Sequence, residues 1–474
     1  MSCPLRENKA AGSKGDTLEK EQVKNKLTEL FASGKLGIAP GKLRGDVFVP
    51  QSKSAAHRAL IMAFLSGDIE LAKIDESCVS DDIRATKRAL LSMGKALDAC
   101  RSGKDNSECS GENEPIEIDC KESGSTLRFL IPLAAVLGIP TKFVGSGRLP
   151  QRPVKEYEGV FEGSGAEMTY LDETGLSLPL LITGKMKAGE YKLPGNVSSQ
   201  YISGLLMALS SADGASRLTL TTELESRPYV DLTCEVMRNF GVEVKEEATG
   251  YSISGEKKPS RTDDFEVEAD YSQAAFWLVA NYLGSSVNLK NLPKTTAQGD
   301  RAIVDLLSGL SEVEKRNDEA EERDVEAGRI TDPGKREVFE MDARDVPDLV
   351  PVFAIAAAAT NCITKIVHAE RLRIKESDRI ASTAAMLTAL GIRNEITEDG
   401  LCISGQSAAG EKCFSGGTVD SYKDHRLVMA AAVAATCASD TVWIKDPVAV
   451  EKSYPSFFED YVNLGGTVNG INVG

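Results

Sequence analysis

The sequence predicts an α/β protein built from six β-α-β-α-β-β units, three to a domain. Three observations carry that expectation. Six times a short alternating strand runs into a few polar residues and then an Ala- and Leu-rich helix: GDVFVPQSKSAAHRAL, IEIDCKESGSTLRFL, EYKLPGNVSSQYISGLL, FEVEADYSQAAFWLV, FEMDARDVPDLVPVFA and GTVDSYKDHRLVMAAA. Anchored on Val49, Ile118, Leu193, Val267, Met341 and Val419, the copies are separated by 69, 75, 74, 74 and 78 residues, a period that chance rarely holds five times over. The second helix of a unit often ends at glycine, as in VMRNFGVEV, MLTALGIRN and YVNLGGTVN, where glycine can adopt the left-handed conformation of a C-cap. Three units make about 230 residues, an ordinary domain size.

In chain order, residues 1–36 form a polar N-terminal extension with one short helix expected around 21–31. Each unit then continues past its first helix into a second strand, as in GASRLTLTT and ITKIVHAE. A polar loop follows, such as ESRPY, RIKESDR or VEKSYP, and a second helix after it. Two irregular pieces interrupt the pattern. Residues 102–114 are a Gly/Ser/Asn-rich loop, and 312–326 (EVEKRNDEAEERDVE) are expected as a solvated surface insertion.

Composition narrows the function. The chain has 474 residues, 42% of them hydrophobic, and 55 Lys plus Arg against 71 Asp plus Glu leave a net charge of −16. That balance argues against a nucleic-acid coat or a membrane-surface binder, so an anionic ligand must meet a local basic cleft. The ten cysteines sit singly with no CxxC pair, which fits reduced thiols in a cytoplasmic protein, and three histidines without HExxH make a transition-metal site improbable. The longest apolar run, at 427–435, is far short of the roughly 20 residues of a membrane helix. P-loop, GxGxxG and GxSxG signatures are absent.

The polar residues recur at one structural place, the junction where a strand ends and a helix begins. Helix N-termini carry unpaired N–H groups and partial positive charge, so several converging junctions would bind phosphate or carboxylate. The first junctions hold Lys53, Ser54 and Arg58; Ser123, Gly124, Ser125 and Arg128; Ser198, Ser199 and Gln200; Tyr271 and Ser272; Asp345 and Asp348; Lys423, Asp424, His425 and Arg426. The second loops add Arg148, Arg152, Arg227, Tyr229, Lys375, Glu376, Arg379 and Lys452. Taken singly, the serines read as N-caps and RIKESDR as a solvated helix start with local ion pairs. Their equivalent places in different units favour a shared cleft. Many cations, several hydroxyls and a few carboxylates suit transfer between two anionic small substrates, with Lys, Glu and Asp moving protons.

The motifs PQSKSAAHRAL, ESGSTLRFL, LPQRP, GNVSSQY, SRPY, IKESDR and YKDHR, in this order and spacing, closely resemble the 5-enolpyruvylshikimate-3-phosphate synthase family of enolpyruvyl transferases, from about Gly37 to the C-terminus. The resemblance implies an inside-out α/β barrel of two domains, 37–50 with 270–474 and 51–269. It implies transfer of the enolpyruvyl group of phosphoenolpyruvate to the 5-hydroxyl of shikimate 3-phosphate, with release of phosphate through a tetrahedral intermediate, in the shikimate pathway of aromatic amino-acid biosynthesis. No cofactor and no metal are expected. The partners are the two anionic substrates, for a monomeric cytoplasmic enzyme with no nucleic-acid or membrane partner. By motif match, Lys53, Ser54, Arg58, Ser198, Ser199, Gln200, Ser226, Asp348 and Lys375 bind phosphoshikimate. Lys53, Gly124, Arg152, Gln200, Arg379, Arg426 and Lys452 bind phosphoenolpyruvate. Asp348 is the proton acceptor at the reacting hydroxyl, and Glu376 and Lys53 handle protons at the methylene carbon. Gly124 has its own physical reason, since a side chain there would obstruct approach to an anion. Arg371 stands where a different polar residue is common and receives no role.

Two other readings compete with this one. A UDP-N-acetylglucosamine enolpyruvyl transferase shares fold and chemistry but carries a reactive cysteine in the loop that here reads GSGRLPQRP. A non-catalytic anion-binding repeat protein has no need of Lys53, Asp348 and Glu376 beside its arginines. Ligand groups on both domains also predict a hinge that anionic substrates close.

Overall fold

Six apolar helices decide the architecture of the computed structural model, which describes residues 14–102, 114–172, 177–326, 337–406 and 412–469. The first thirteen residues, and all but the edges of the loop expected at 102–114, lie outside the described residues. Gly124–Leu137 and Val350–Ala358 are buried along almost their whole length, as are Lys53–Leu65, Ser199–Leu209, Tyr271–Tyr282 and His425–Ala435. A helix that is hydrophobic all round belongs in an interior. The strands alternate instead: Glu190–Leu193 and Val442–Lys445 each bury every second residue, so their sheets keep one wet face. Helices therefore lie inside and sheets outside, the inside-out α/β arrangement expected from the resemblance.

One topology repeats. Ile116–Asp119 runs parallel to Thr141–Val144, which pairs antiparallel with Leu180–Gly184, whose other neighbour is Ala166–Tyr170. The same order holds for Glu190–Leu193, Ser216–Leu220, Gly250–Ile253 and Lys245–Glu247. It returns in Val338–Asp342, Ile363–Val367, Leu401–Ser404 and Asn394–Ile396. In the last unit the third strand comes from the opposite end of the chain: Lys35–Ile38 pairs antiparallel with Val442–Lys445, itself parallel to Gly417–Asp420. The first and fourth units exchange leading strands. Arg44–Val47 lies beside Ser286–Leu289, and Phe265–Glu266 beside Ala72–Lys73, both parallel. Buried apolar side chains accordingly form two clusters, one drawn from residues 23–49 and 269–468, the other from 55–267.

Local packing departs from expectation in three places. The N-terminal helix is longer, Lys14–Ala32; it buries Val23 and Leu27 and sets Phe31 edge-on to Phe458 at 5.8 Å. The charged stretch 312–326 is no irregular insertion, because the helix Ile303–Glu326 runs straight through it. Its inner face buries Val313, Glu314 and Asn317, and the Tyr282 hydroxyl donates to Glu314 Oε2 at 3.1 Å. Cys100 is engaged in a disulfide, so the thiols are not all reduced. Among the described residues no helix is long and apolar enough to cross a membrane.

Candidate functional site

The repeat delivers its polar junctions to one cleft. Five of the six inner helices begin at a side-chain cap: Ser52, Ser123, Ser198, Asp270 and Asp424 each accept from a backbone N–H of the first turn. The fifth unit breaks the rule. Val350–Ala358 has no side-chain cap, and Asp348, in the preceding turn Pro347–Leu349, faces the cleft instead.

The cleft encloses about 730 Å³, part of it open to solvent. Seven cations line it (Lys53, Arg58, Arg152, Arg371, Lys375, Arg379 and Arg426) against three carboxylates, Asp82, Asp348 and Glu376. Ser54, Gly124, Ser198, Ser199, Gln200 and Ser226 line it too, together with the junction residues Ser125, Tyr229 and His425, and Phe129 is new to the set. A chain of net charge −16 thus concentrates positive charge at a single concave place, which is what focuses an anion.

The carboxylates are clamped by arginines. Asp348 Oδ1 accepts from Arg379 Nη1 at 2.6 Å and Oδ2 from Arg426 Nη2 at 2.8 Å. Burial raises its pKa, but Arg426, Arg379 and Lys375 outweigh burial and hold the group far below the usual carboxylate range. Glu376 Oε2 accepts from Arg379 Nη2 at 2.7 Å, and its Oε1 lies 3.4 Å from Arg152 Nη1. Burial works against its charge too, and again Arg379 and Arg152 prevail, keeping Glu376 ionised. Arg379 is fixed from behind by buried Asp424, 2.8 Å from its Nε. Lys375 is the counterexample: burial brings its pKa down to about 8 despite Asp348.

Other residues are held by their neighbours. Lys53 Nζ lies 3.0 Å from Asp82. Arg58 gives most of its donors to Thr233, Ser54, Ser203 and the Tyr229 carbonyl, so it shapes the floor as much as it faces the cleft. Gln200 donates to Ser125 Oγ and accepts from Arg128, both at 2.8 Å. Ser226 adopts a positive φ of 55° where its hydroxyl accepts from Arg371. The reason for glycine at 124 is now explicit: a Cβ there would stand 2.7 Å from Arg152 Nη1 and 2.9 Å from Arg128 Nη1.

Of the residues assigned to a substrate, Lys452 alone does not line the cleft; of the other junction residues, Ser123, Arg128, Arg148, Arg227, Tyr271, Ser272, Asp345, Lys423 and Asp424 stay outside its lining as well. The Lys452 Nζ is taken by Glu122 and by the Lys423 carbonyl, both at 2.9 Å. Sequence reasoning left Asp82, Tyr229, Arg371 and His425 without roles, although SRPY and YKDHR contain two of them.

A family model described as EPSP synthase (3-phosphoshikimate 1-carboxyvinyltransferase) matches residues 38–461. The chain is 39% identical over 453 residues to the 3-phosphoshikimate 1-carboxyvinyltransferase of Clostridium novyi, covering 92% of this chain and 99% of that protein. Its identity to the Clostridium perfringens enzyme of the same name is 40% over 438 residues, covering 91% and 98%. Among solved structures, the EPSP synthase of Acinetobacter baumannii superposes with a TM-score of 0.68 at 25% identity, over 92% of this chain and 99% of that one. The enolpyruvyl transferase NikO of Streptomyces tendae shares the fold, with a TM-score of 0.62 at 15% identity over 92% of this chain and 98% of that one. The chain therefore belongs to the EPSP synthase family, the 3-phosphoshikimate 1-carboxyvinyltransferases, enzymes that transfer the enolpyruvyl group of phosphoenolpyruvate to shikimate 3-phosphate in the shikimate pathway.

Proposed function

We propose that the cleft carries out this transfer with the residues it presents, and the observation that carries the reading is the position of Asp348. Its carboxylate stands between two arginines at the mouth of an uncapped helix, the one junction whose acid is not spent on its own backbone. Asp348 takes the proton of the 5-hydroxyl as its oxygen bonds to the central carbon of phosphoenolpyruvate. The methylene carbon gains a proton in the same addition, from the Lys53 ammonium, giving a tetrahedral intermediate. Ionised Glu376 then takes a proton from the new methyl group as the C–O bond between the central carbon and phosphate breaks, releasing the product and inorganic phosphate. Every step is a proton transfer or the making and breaking of a C–O bond, so no cofactor is required.

Arg152, Arg379 and Arg426 hold the phosphate and carboxylate of phosphoenolpyruvate beside Gly124, each guanidinium being able to bind two oxygens at once. Lys53, Ser54, Arg58, Ser198, Ser199, Gln200, Ser226 and Lys375 hold phosphoshikimate. Lys452 joins the phosphoenolpyruvate site on exchanging Glu122 for the substrate. The protein acts as a cytoplasmic monomer of two domains, 37–50 with 270–474 and 51–269, with no nucleic-acid partner.

Phosphate release from the purified protein tests this. Release with phosphoenolpyruvate and shikimate 3-phosphate, and none with UDP-N-acetylglucosamine as acceptor, is expected. Asp348→Asn should lower kcat by about 10²-fold or more if the carboxylate takes the proton.

A further inference from the structure

Behind the cleft wall lies a carboxyl group that the reaction as described does not use. Asp300 sits in the turn Gly299–Ala302, is 5% exposed, and has no ion pair among the described residues, in contrast to Asp348 with its two arginines. Its Oδ2 is 3.5 Å from the Tyr229 hydroxyl, and the same hydroxyl is 3.5 Å from Asp348 Oδ2. Oδ1 makes no well-formed hydrogen bond, although the buried Ser272 hydroxyl, likewise unbonded, stands beside it.

A carboxylate taken from water without a cation is so unfavourable that it keeps its proton instead. The groups facing Asp300 are the Asp348 carboxylate, the Asp270 carboxyl group, the Arg426 cation, and the Tyr229 and Ser272 hydroxyls. Burial first, and then Asp348, raise its pKa; Arg426 opposes them, and the balance lies at about 7. Burial with Asp300 and Asp348 drives Tyr229 the same way, so its hydroxyl stays a donor wherever the enzyme works.

We propose that Asp300 is a positioning residue that acts through Tyr229: as a carboxylic acid it donates to the Tyr229 oxygen, which turns the Tyr229 hydrogen toward Asp348 and holds that carboxylate in line with the substrate hydroxyl. The proposal rests on Asp348 as proton acceptor. No covalent bond changes in the positioning itself. When Asp300 loses its proton it becomes an acceptor, draws the Tyr229 hydrogen away from Asp348 and adds a second negative charge beside it. Turnover should therefore fall as pH rises through about 7, ahead of any loss caused by Lys375 near 8.

The test compares kcat against pH for the wild type, Asp300→Asn and Tyr229→Phe. Asn keeps an N–H donor and cannot ionise, so Asp300→Asn should stay within about threefold of wild type near pH 6 and lack the fall through neutrality, while Tyr229→Phe should be slower and also lack it. A merely structural role would lower kcat equally at every pH. A difference infrared spectrum between wild type and Asp300→Asn supplies a readout that needs no turnover: the wild type should show a carboxylic-acid C=O stretch near pH 6 that fades as pH rises. An Asp300→Asn profile superimposed on wild type, or no such band, overturns the proposal. Full activity in Asp348→Asn would instead overturn the assignment of the base, and leaves the infrared result to decide the state of Asp300.

Discussion

Arg152 and Gly124 share one piece of space. A methyl group on Gly124 would press on the Arg152 guanidinium from 2.7 Å, and Arg152→Lys removes the fork while keeping the charge. Both should raise KM for phosphoenolpyruvate, by roughly 10- to 100-fold, with less effect on phosphoshikimate, and the double variant should lose less than the product of the two because they damage one interaction. Lys375 invites a stability measurement. Its folded pKa of about 8 lies below the unfolded value, so its charge opposes folding at neutral pH, and the penalty disappears as pH rises from about 8 to the unfolded value. Lys375→Met should therefore stabilise the ligand-free protein by about 1–3 kcal/mol in urea unfolding while abolishing useful turnover. Among single residues, the cations at the junctions were legible because each sits at a fixed offset from a strand. Asp82 and Asp300 were not, since the second loops of the first and fourth units carry acids where a search for cation-rich loops looks past them. Lys452 stood at the expected offset too, but its partner Glu122 is 330 residues away, and no local pattern reports such a pairing.

At the scale of elements, the strand-to-helix rhythm is readable because the inner helices are apolar all round and the strands alternate. The caps are readable for the same local reason. What escaped was the helix Ile303–Glu326: its run of charge resembles a solvated loop, and only the long-range placement of Tyr282 shows that Glu314 has a buried donor. Helix contact also has a checkable cost. Gly204 lets Ser199–Leu209 approach Gly124–Leu137 so closely that a Cβ would lie 2.6 Å from the Arg128 carbonyl oxygen and 3.1 Å from Phe129 Cα. Backbone cannot yield there as a flexible side chain could, so Gly204→Ala should destabilise the fold by about 2–3 kcal/mol, measured by urea unfolding. An unchanged midpoint would show that the two helices separate without strain.

At the scale of the whole molecule, three ion pairs among the described residues join the part built on one core to the part built on the other: Arg152 with Glu376 at 3.4 Å, Arg371 with Glu225, and Lys452 with Glu122 at 2.9 Å. Without substrate, then, the cationic ends are not left to repel one another; carboxylates of the chain occupy them. Salt screens such partly exposed pairs, with a Debye length of about 3 Å at 1 M. Small-angle scattering should show the ligand-free protein expanding at high salt and contracting again when shikimate 3-phosphate is added. A radius of gyration indifferent to both would exclude closure driven by charge.

The exchanged strands have a consequence for how the chain is completed during synthesis. All members of the core from 55–267 leave the ribosome in one stretch, and that core can close as soon as Phe265–Glu266 reaches Ala72–Lys73. Arg44–Val47 must wait until Ser286–Leu289 has been made, and Lys35–Ile38 until Val442–Lys445. The first strands to emerge are thus among the last to find partners, and through most of translation they are unpaired edges that the nascent chain, or its chaperones, must keep from pairing elsewhere.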